Sequence, residues 1–265
     1  MEQQQTLFGA TDRHDTADVP AVNVQRLVVP FIDSILCGDA VEQMRSLPAG
    51  SVDAVITDPP YCSGGVSEAS RTAAKGQGLR SENLSRFGWF VGDNMGTAGL
   101  AFLLRSVAYE ATRVLKATGS LLMFCDWRMA PTLIPAIESS GLRYQNLIVW
   151  DKKHMGLGQG FRHRQELIMH MTAGSPEYHD KGTANVLSCG RVSAADREHQ
   201  TQKPVDLMAQ LIKVVSPPGG VVLDPFAGSG STLVAAKVTG RHWIGIERDP
   251  GNCDIANRRI EHMLL

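Results

Sequence analysis

"VVLDPFAGSGSTLVAAKVTG", Val221 to Gly240, reads as an apolar strand, a glycine-bearing turn and a helix. The strand stops at Asp224-Pro225, and Phe226-Ala227-Gly228-Ser229-Gly230 turns the chain into a helix that opens at Ser231. Glycines let a backbone pass close to a ligand, and the first turn of a helix offers unpaired N–H groups. In an open α/β sheet such a corner, at the C-terminal end of a strand, is where ligands bind. The phosphate-loop pattern G-x-x-x-x-G-K-[ST] is absent, since no lysine follows the glycines. The acid facing the loop, Asp224, would repel a diphosphate and suit an ammonium group. Roughly twenty residues on, "WIGIERD" (243–249) ends a strand at Glu247, with Asp249 two positions beyond. A carboxylate there can accept hydrogen bonds from both ribose hydroxyls of an adenosine. Together these features point to an adenosyl amino acid, S-adenosylmethionine, over a dinucleotide. The plain alternative is a tight strand–helix turn with no ligand.

Outward from this corner the pattern repeats. "VDAVITD" (52–58), "GSLLMFCD" (119–126), "YQNLIVWD" (144–151), "RQELIMHMT" (164–172), "GVVLDPF" (220–226) and "RHWIGIERD" (241–249) are strand-like apolar runs, and "DSILCGD" (33–39) is a seventh. "LAFLLRSVAYEATRVLKATG" (100–119) has a helical apolar face and ends at Gly119, a C-cap residue. "KPVDLMAQLIKVVS" (203–216) is a second helix, with proline where a helix start tolerates it. Near-continuous apolar strands alternating with helices give an α/β fold with a mostly parallel sheet covered on both faces. Asp39 precedes a short helix with Glu42 three residues later, a near capping box, so the position suits a helix cap, a cofactor contact or both. Residues 62–99 and 173–202 are rich in glycine, serine and charge and have no period, which marks functional loops or disorder. The chain divides into a flexible arm, 1–24, and a single domain, 25–265.

The composition narrows the function. A hydrophobic content of 43% supports one sizeable core, and a net charge of −1 means that a nucleic acid must be met by a local basic patch. Five cysteines without a CxxC pair argue against structural zinc and suit a reducing compartment. No apolar run approaches a membrane span, and the N-terminus lacks a secretory core, so a cytoplasmic protein is expected. Charge clusters in "WDKKHMGLGQGFRHRQE" (150–166), where Lys152, Lys153, His154, Arg162, His163 and Arg164 are candidates for phosphate contact. Arg71, Lys75, Arg80, Arg86, Arg191 and Arg197 are weaker ones. Phe87, Trp89 and Phe90 are loop anchors or a dimer contact, and Trp127 and Trp150 suit core or rim packing.

"VITDPPYCSGG", Val55 to Gly65, is the second chemical corner: an apolar strand that stops at an acid, two prolines and a tyrosine. "TDPPY" (57–61), "LDPFAGSGST" (223–232) and "TQKP" (201–204) together resemble the amino-methylating DNA methyltransferases, over roughly residues 33 to 260. Their order along the chain is similar to the β-group of these enzymes. That resemblance implies a seven-stranded, mostly parallel Rossmann-like methyltransferase sheet with one antiparallel strand, circularly permuted. It also implies that Pro225 to Ser231 cradle the methionine part of S-adenosylmethionine, that Glu247 holds the ribose, and that Asp39 lies near the adenine. Lys203 would open a helix closing over the methionine end.

By the same resemblance, Asp58, Pro59, Pro60 and Tyr61 form the active site. The exocyclic amine of adenine is a poor nucleophile, because its lone pair is delocalised into the ring. Asp58 would accept one amine hydrogen, the Pro59 carbonyl the other, and Tyr61 would stack on a base flipped out of double-stranded DNA. Successive prolines restrict the backbone that aims that carbonyl. Cys62 is a bystander, since amine methylation needs no thiol nucleophile. The head residue Asp favours adenine N6 over cytosine N4 in this family. RNA or protein amine methylation, and a DNA-binding relative without catalysis, are the rivals. A homodimer, no metal and no membrane complete the expectation.

Overall fold

The computed structural model describes residues 29–61, 96–156, 159–192 and 202–262. Among the described residues eight strands form one sheet: β1 (Ser34–Cys37), β2 (Val52–Thr57), β3 (Leu115–Cys125), β4 (Arg143–Asp151), β5 (Gln165–Thr172), β6 (Val186–Ser188), β7 (Val221–Asp224) and β8 (His242–Glu247). Their spatial order is β1-β8-β7-β2-β3-β5-β4-β6. Only β5 runs antiparallel to its neighbours, β3 and β4. The sheet therefore has one strand more than the expected seven. The addition, β6, is three residues at the edge, within the aperiodic stretch 173–202. So short a strand leaves no alternation to read.

Among the described residues six α-helices cover the sheet: α1 (Ala40–Ser46), α2 (Thr97–Val114), α3 (Ala130–Glu138), α4 (Val205–Val215), α5 (Ser231–Val238) and α6 (Pro250–His262). The strand pleat sorts the core in two. Val55, Leu121, Met123 and Met169 pack with Met44 of α1, Leu104 and Val107 of α2 and Leu133 of α3. Ala54, Ile56, Leu122, Phe124 and Ile168 pack on the opposite face with Leu207 and Leu211 of α4, Leu233 and Val234 of α5, and Ile260 of α6. All six residues of β2 are buried, as a central parallel strand requires.

The helix expected over 100–119 runs over 97–114 instead, and β3 follows at Leu115 without a loop. Gly119 is no cap: it lies in β3, where the pairing with β2 shifts register. A side chain there would meet the Asp53 carbonyl oxygen at 2.9 Å. The glycine serves close backbone approach in a sheet.

Among the described residues no helix is long and apolar enough to cross a membrane, and no cluster of His, Cys, Asp and Glu could hold a metal. The arm 1–24 lies outside the described residues, as do Arg71, Lys75, Arg80, Arg86, Phe87, Trp89, Phe90, Arg197 and Cys62.

Candidate active site

Strands β1, β8, β7 and β2 are consecutive in the sheet and mutually parallel, so their C-terminal ends share one edge. Each delivers a carboxylate there: Asp39 just past β1, Glu247 ending β8, Asp224 ending β7 and Asp58 just past β2. The two corners of the sequence are thus neighbours. Thr57, beside Asp58, donates its hydroxyl to Asp224 Oδ1 at 2.7 Å.

Asp224 is held by donors of the protein itself. It is 2% exposed, and its carboxylate also accepts from the Thr232 hydroxyl and from the Phe226 N–H at 3.0 Å. These bonds to Asp224 bracket β2, β7 and the start of α5. Burial pushes its carboxyl up to about 6, against the pull of these donors.

The loop from Pro225 to Ser231 is held from both sides. Ala227 N–H donates to the Ile246 carbonyl at 2.9 Å, and Arg259 of α6 holds Ser229 through Oγ at 3.0 Å. Gly228 and Gly230 have φ of 51° and 80°, the left-handed region that glycine adopts without strain. A side chain on Gly230 would press on Ala256 of α6 at 3.0 Å, whereas Gly228 opens onto free space. Ser231 Oγ, at the N-terminus of α5, is buried without a hydrogen-bond partner among the described residues. An orphaned hydroxyl, a bare glycine and the first N–H groups of a helix fit the polar end of an adenosyl amino acid.

Glu247 reinforces that fit. Its oxygens each accept one backbone N–H, from Gly228 and Asp249, both at 2.8 Å. Every carboxylate oxygen has two acceptor sites, so one per oxygen is left for a ribose hydroxyl. Asp39 caps α1 through the Val41 and Glu42 N–H groups, at 3.0 and 3.2 Å. Gly38 N–H, next to it, donates to the Glu247 carbonyl at 2.8 Å, which seats Asp39 beside that carboxylate. Asp249 accepts from Asn252 N–H at 2.9 Å, so it starts α6.

At the other corner, Asp58 and Tyr61 belong to a dense cluster. The Tyr61 hydroxyl donates to Asp58 Oδ1 at 2.6 Å. Lys203 donates to Asp58 Oδ2 at 2.6 Å and to the Tyr61 oxygen at 3.2 Å, and pairs with Glu166 Oε2 at 3.1 Å. Lys152 closes the chain on Glu166 Oε1 at 2.5 Å. Lys203 is 7% exposed, with its ammonium 5.0 Å from the ring centre of Phe124 and 5.2 Å from that of Tyr61. Burial raises the Asp58 carboxyl above its ordinary value, although Lys203 draws it down. Burial, Asp58 and Glu166 together hold the Tyr61 phenol well above its own. For Glu166 burial acts upward, but the two lysines prevail and hold it below the ordinary value. Pro59 is buried and Pro60 half-buried.

Two of the expected site residues have partners within the protein. Lys203, expected on the cofactor, puts its charge on Asp58 and Glu166. Lys152, expected on phosphate, is turned inward to Glu166. Glu166 itself escapes a sequence reading that ranks strand ends by direction. Since β5 is antiparallel, its first residues fall on the same edge as the last residues of β2. An acid heading an apolar run was the available signal.

The remaining basic candidates lie on the β4–β5 hairpin, closed by Gly156 N–H on the His163 carbonyl at 2.7 Å. Arg164 is paired with both oxygens of Asp151. Arg162 donates to the Gly156 carbonyl, and His163 stacks on Trp127 with ring centres 4.8 Å apart. Lys153, His154 and Arg162 are exposed. Trp150 is buried, whereas Trp127 is 44% exposed.

A family model described as DNA methylase, for N6 and N4 methyltransferases, matches residues 52–258. The YubD protein of Escherichia coli (strain K12) is 32% identical over 210 residues, covering 79% of this chain and 82% of its own length. The type II methyltransferase M.HinfI of Haemophilus influenzae is 26% identical, covering 88% of this chain and 69% of its own length. Among solved structures, the M1.HpyAVI–SAM complex superposes with a TM-score of 0.63 at 21% identity, over 86% of this chain and 98% of that one.

Proposed function

Since this chain belongs to the N6/N4 DNA methylase family, we propose that it methylates the N6 amine of adenine in double-stranded DNA, at a specific sequence. The observation that carries the reading is Asp58 at the edge shared with the Gly228 loop, backed by Tyr61. S-adenosylmethionine, when bound, supplies an electrophilic methyl group. The chain's own contribution is placement. Pro225 to Ser231 and Glu247 hold the donor along the ends of β7 and β8. Asp58 accepts one hydrogen of the target amine and the Pro59 carbonyl the other, favouring a pyramidal nitrogen whose lone pair points at the methyl group. Tyr61 stacks on the extruded base, a contact worth about 1–3 kcal/mol. Alignment of two bound reactants then does most of the work. No covalent intermediate with the protein is needed.

Methylation of cytosine N4 is the second reading, because the family embraces both amines. The aspartate heading residues 58–61 favours adenine. The order of residues 57–61 before 223–232 supports a circularly permuted chain. Residues 25–265 act as one domain, in the cytoplasm and as a homodimer, within the same proposal.

Sequencing DNA from cells expressing the protein, with detection of modified bases, tests the reading. N6-methyladenine at one recurrent sequence is expected, and N4-methylcytosine alone would overturn the choice of base. Asp58→Ala should abolish the modification while cofactor affinity by calorimetry stays within a fewfold. Unchanged modification in that variant would remove Asp58 from its role.

A further inference from the structure

The cluster around Asp58 holds two carboxylates, two ammoniums and a phenol. An ammonium has three donors. Lys203 has three acceptors within 3.2 Å: Asp58 Oδ2, Glu166 Oε2 and the Tyr61 oxygen. Asp58 accepts two bonds, from Lys203 and Tyr61. A carboxylate offers about four acceptor sites, so two stay open. With Asp58 and Glu166 ionised and both lysines charged, the cluster is neutral.

We infer that Glu166 is a positioning residue for methyl transfer: by sharing Lys203 with Asp58 and engaging Lys152, it leaves Asp58 with acceptor strength for the target amine. This rests on the reading of Asp58 as the amine acceptor. A carboxylate whose charge is cancelled by an ammonium at 2.6 Å is a weak acceptor for a neutral amine. Glu166 draws part of that ammonium away. It reaches the site because β5 is antiparallel, so Glu166, opposite Trp150 of β4, projects at the edge where β2 ends. Its charge also keeps the cluster from becoming net positive where a cationic methyl donor must sit. Asp58 touches the reacting amine, and Glu166 acts through Lys203.

Charge counting gives distinct expectations. Glu166→Gln keeps the shape and leaves the cluster at +1. Adding Lys203→Met to that variant returns it to neutral. In single-turnover assays with the cofactor-loaded protein and its target duplex, Glu166→Gln should slow methyl transfer by about tenfold to a hundredfold, the scale of a misplaced reacting group. DNA affinity should stay within twofold, since Glu166 is engaged by two lysines of the protein itself. Glu166→Asp should recover part of the rate. The double variant Glu166→Gln, Lys203→Met should be faster than Glu166→Gln alone. A single-variant rate within twofold of the parent overturns the inference, and so does a double variant no faster than the single. Asp58→Ala, assayed alongside, separates the two levels. If it still methylates, the reading of Asp58 fails. If it is inactive while Glu166→Gln is unimpaired, the inference about Glu166 fails alone.

Discussion

A carboxyl group that is 2% exposed and ringed by three donors titrates on terms set by the fold, and Asp224 is such a group. Its folded value, about 6, lies above the ordinary carboxylate value of 3.8, because burial penalises the charge. A raised folded value has a definite sign. The group's contribution to stability is fully present below the unfolded value and is lost as pH rises through about 6. Asp224→Asn removes that dependence while keeping the shape. Between pH 4 and pH 7, stability should therefore move in favour of the variant, by on the order of 2–3 kcal/mol. Denaturant titrations of both proteins across that range measure it, and His170, whose buried imidazole is held down at about 4, cancels in the comparison. Parallel stability curves would contradict a buried, proton-binding Asp224. Individual residues are also where sequence reading reaches least far. "LDPF" announces an acid beside a loop, but only the placement of Thr57 on the adjacent strand makes that acid a bracket.

Elements were legible where burial is uniform. The apolar runs of β2, β5, β7 and β8 announce themselves because both faces of the sheet are covered. The boundary between α2 and β3 is not legible. "VLKATG" continues a helical composition up to a glycine, and tertiary pairing overrides it: Leu115 pairs with Val52, and Ser120 with Ala54. Likewise α3 carries Pro135 in its interior, which masks a helix of nine residues. Substitution of Gly119 probes this boundary directly. A methyl group there would meet the Asp53 carbonyl oxygen at 2.9 Å and Leu115 Cδ2 at 2.8 Å. Asp53 meanwhile ties β2 to β7 by accepting from Val221 N–H at 2.8 Å. Gly119→Ala should cost about 1–3 kcal/mol, as overpacking does. The loss should appear in chemical denaturation while cofactor affinity is unaltered, because the shift lies toward the start of β2 and the loop proposed to hold the cofactor lies past the end of β7. A stability equal to that of the parent would mean that β3 begins elsewhere.

For the whole molecule the problem is how a chain of net charge −1 holds a polyanion. Its basic residues do not act as a uniform field, and the structure divides them by partner. Lys152 and Lys203 are internal counter-charges, and Arg164 is paired with Asp151. Lys153 and Arg162 stay exposed on the β4–β5 hairpin, beside His154 and the Trp127–His163 stack. That hairpin springs from the sheet edge where β3 ends and β5 begins, one strand removed from Asp58. A duplex presenting a base to Asp58 would pass over it. Two sets of substitutions should therefore behave differently. Replacing Lys153, His154 and Arg162 with alanine should weaken DNA binding and flatten the dependence of log K on log salt. The slope should fall by about 0.9 for each phosphate no longer neutralised, up to roughly 1.8 for the two permanent charges. Lys152→Met removes the same kind of charge from the same segment, yet it should leave the salt slope unchanged, because that ammonium neutralises Glu166 rather than a phosphate. Binding isotherms at a series of salt concentrations read out both. A flattened slope for Lys152→Met, or an unaltered one for the triple variant, would move the DNA path to another face.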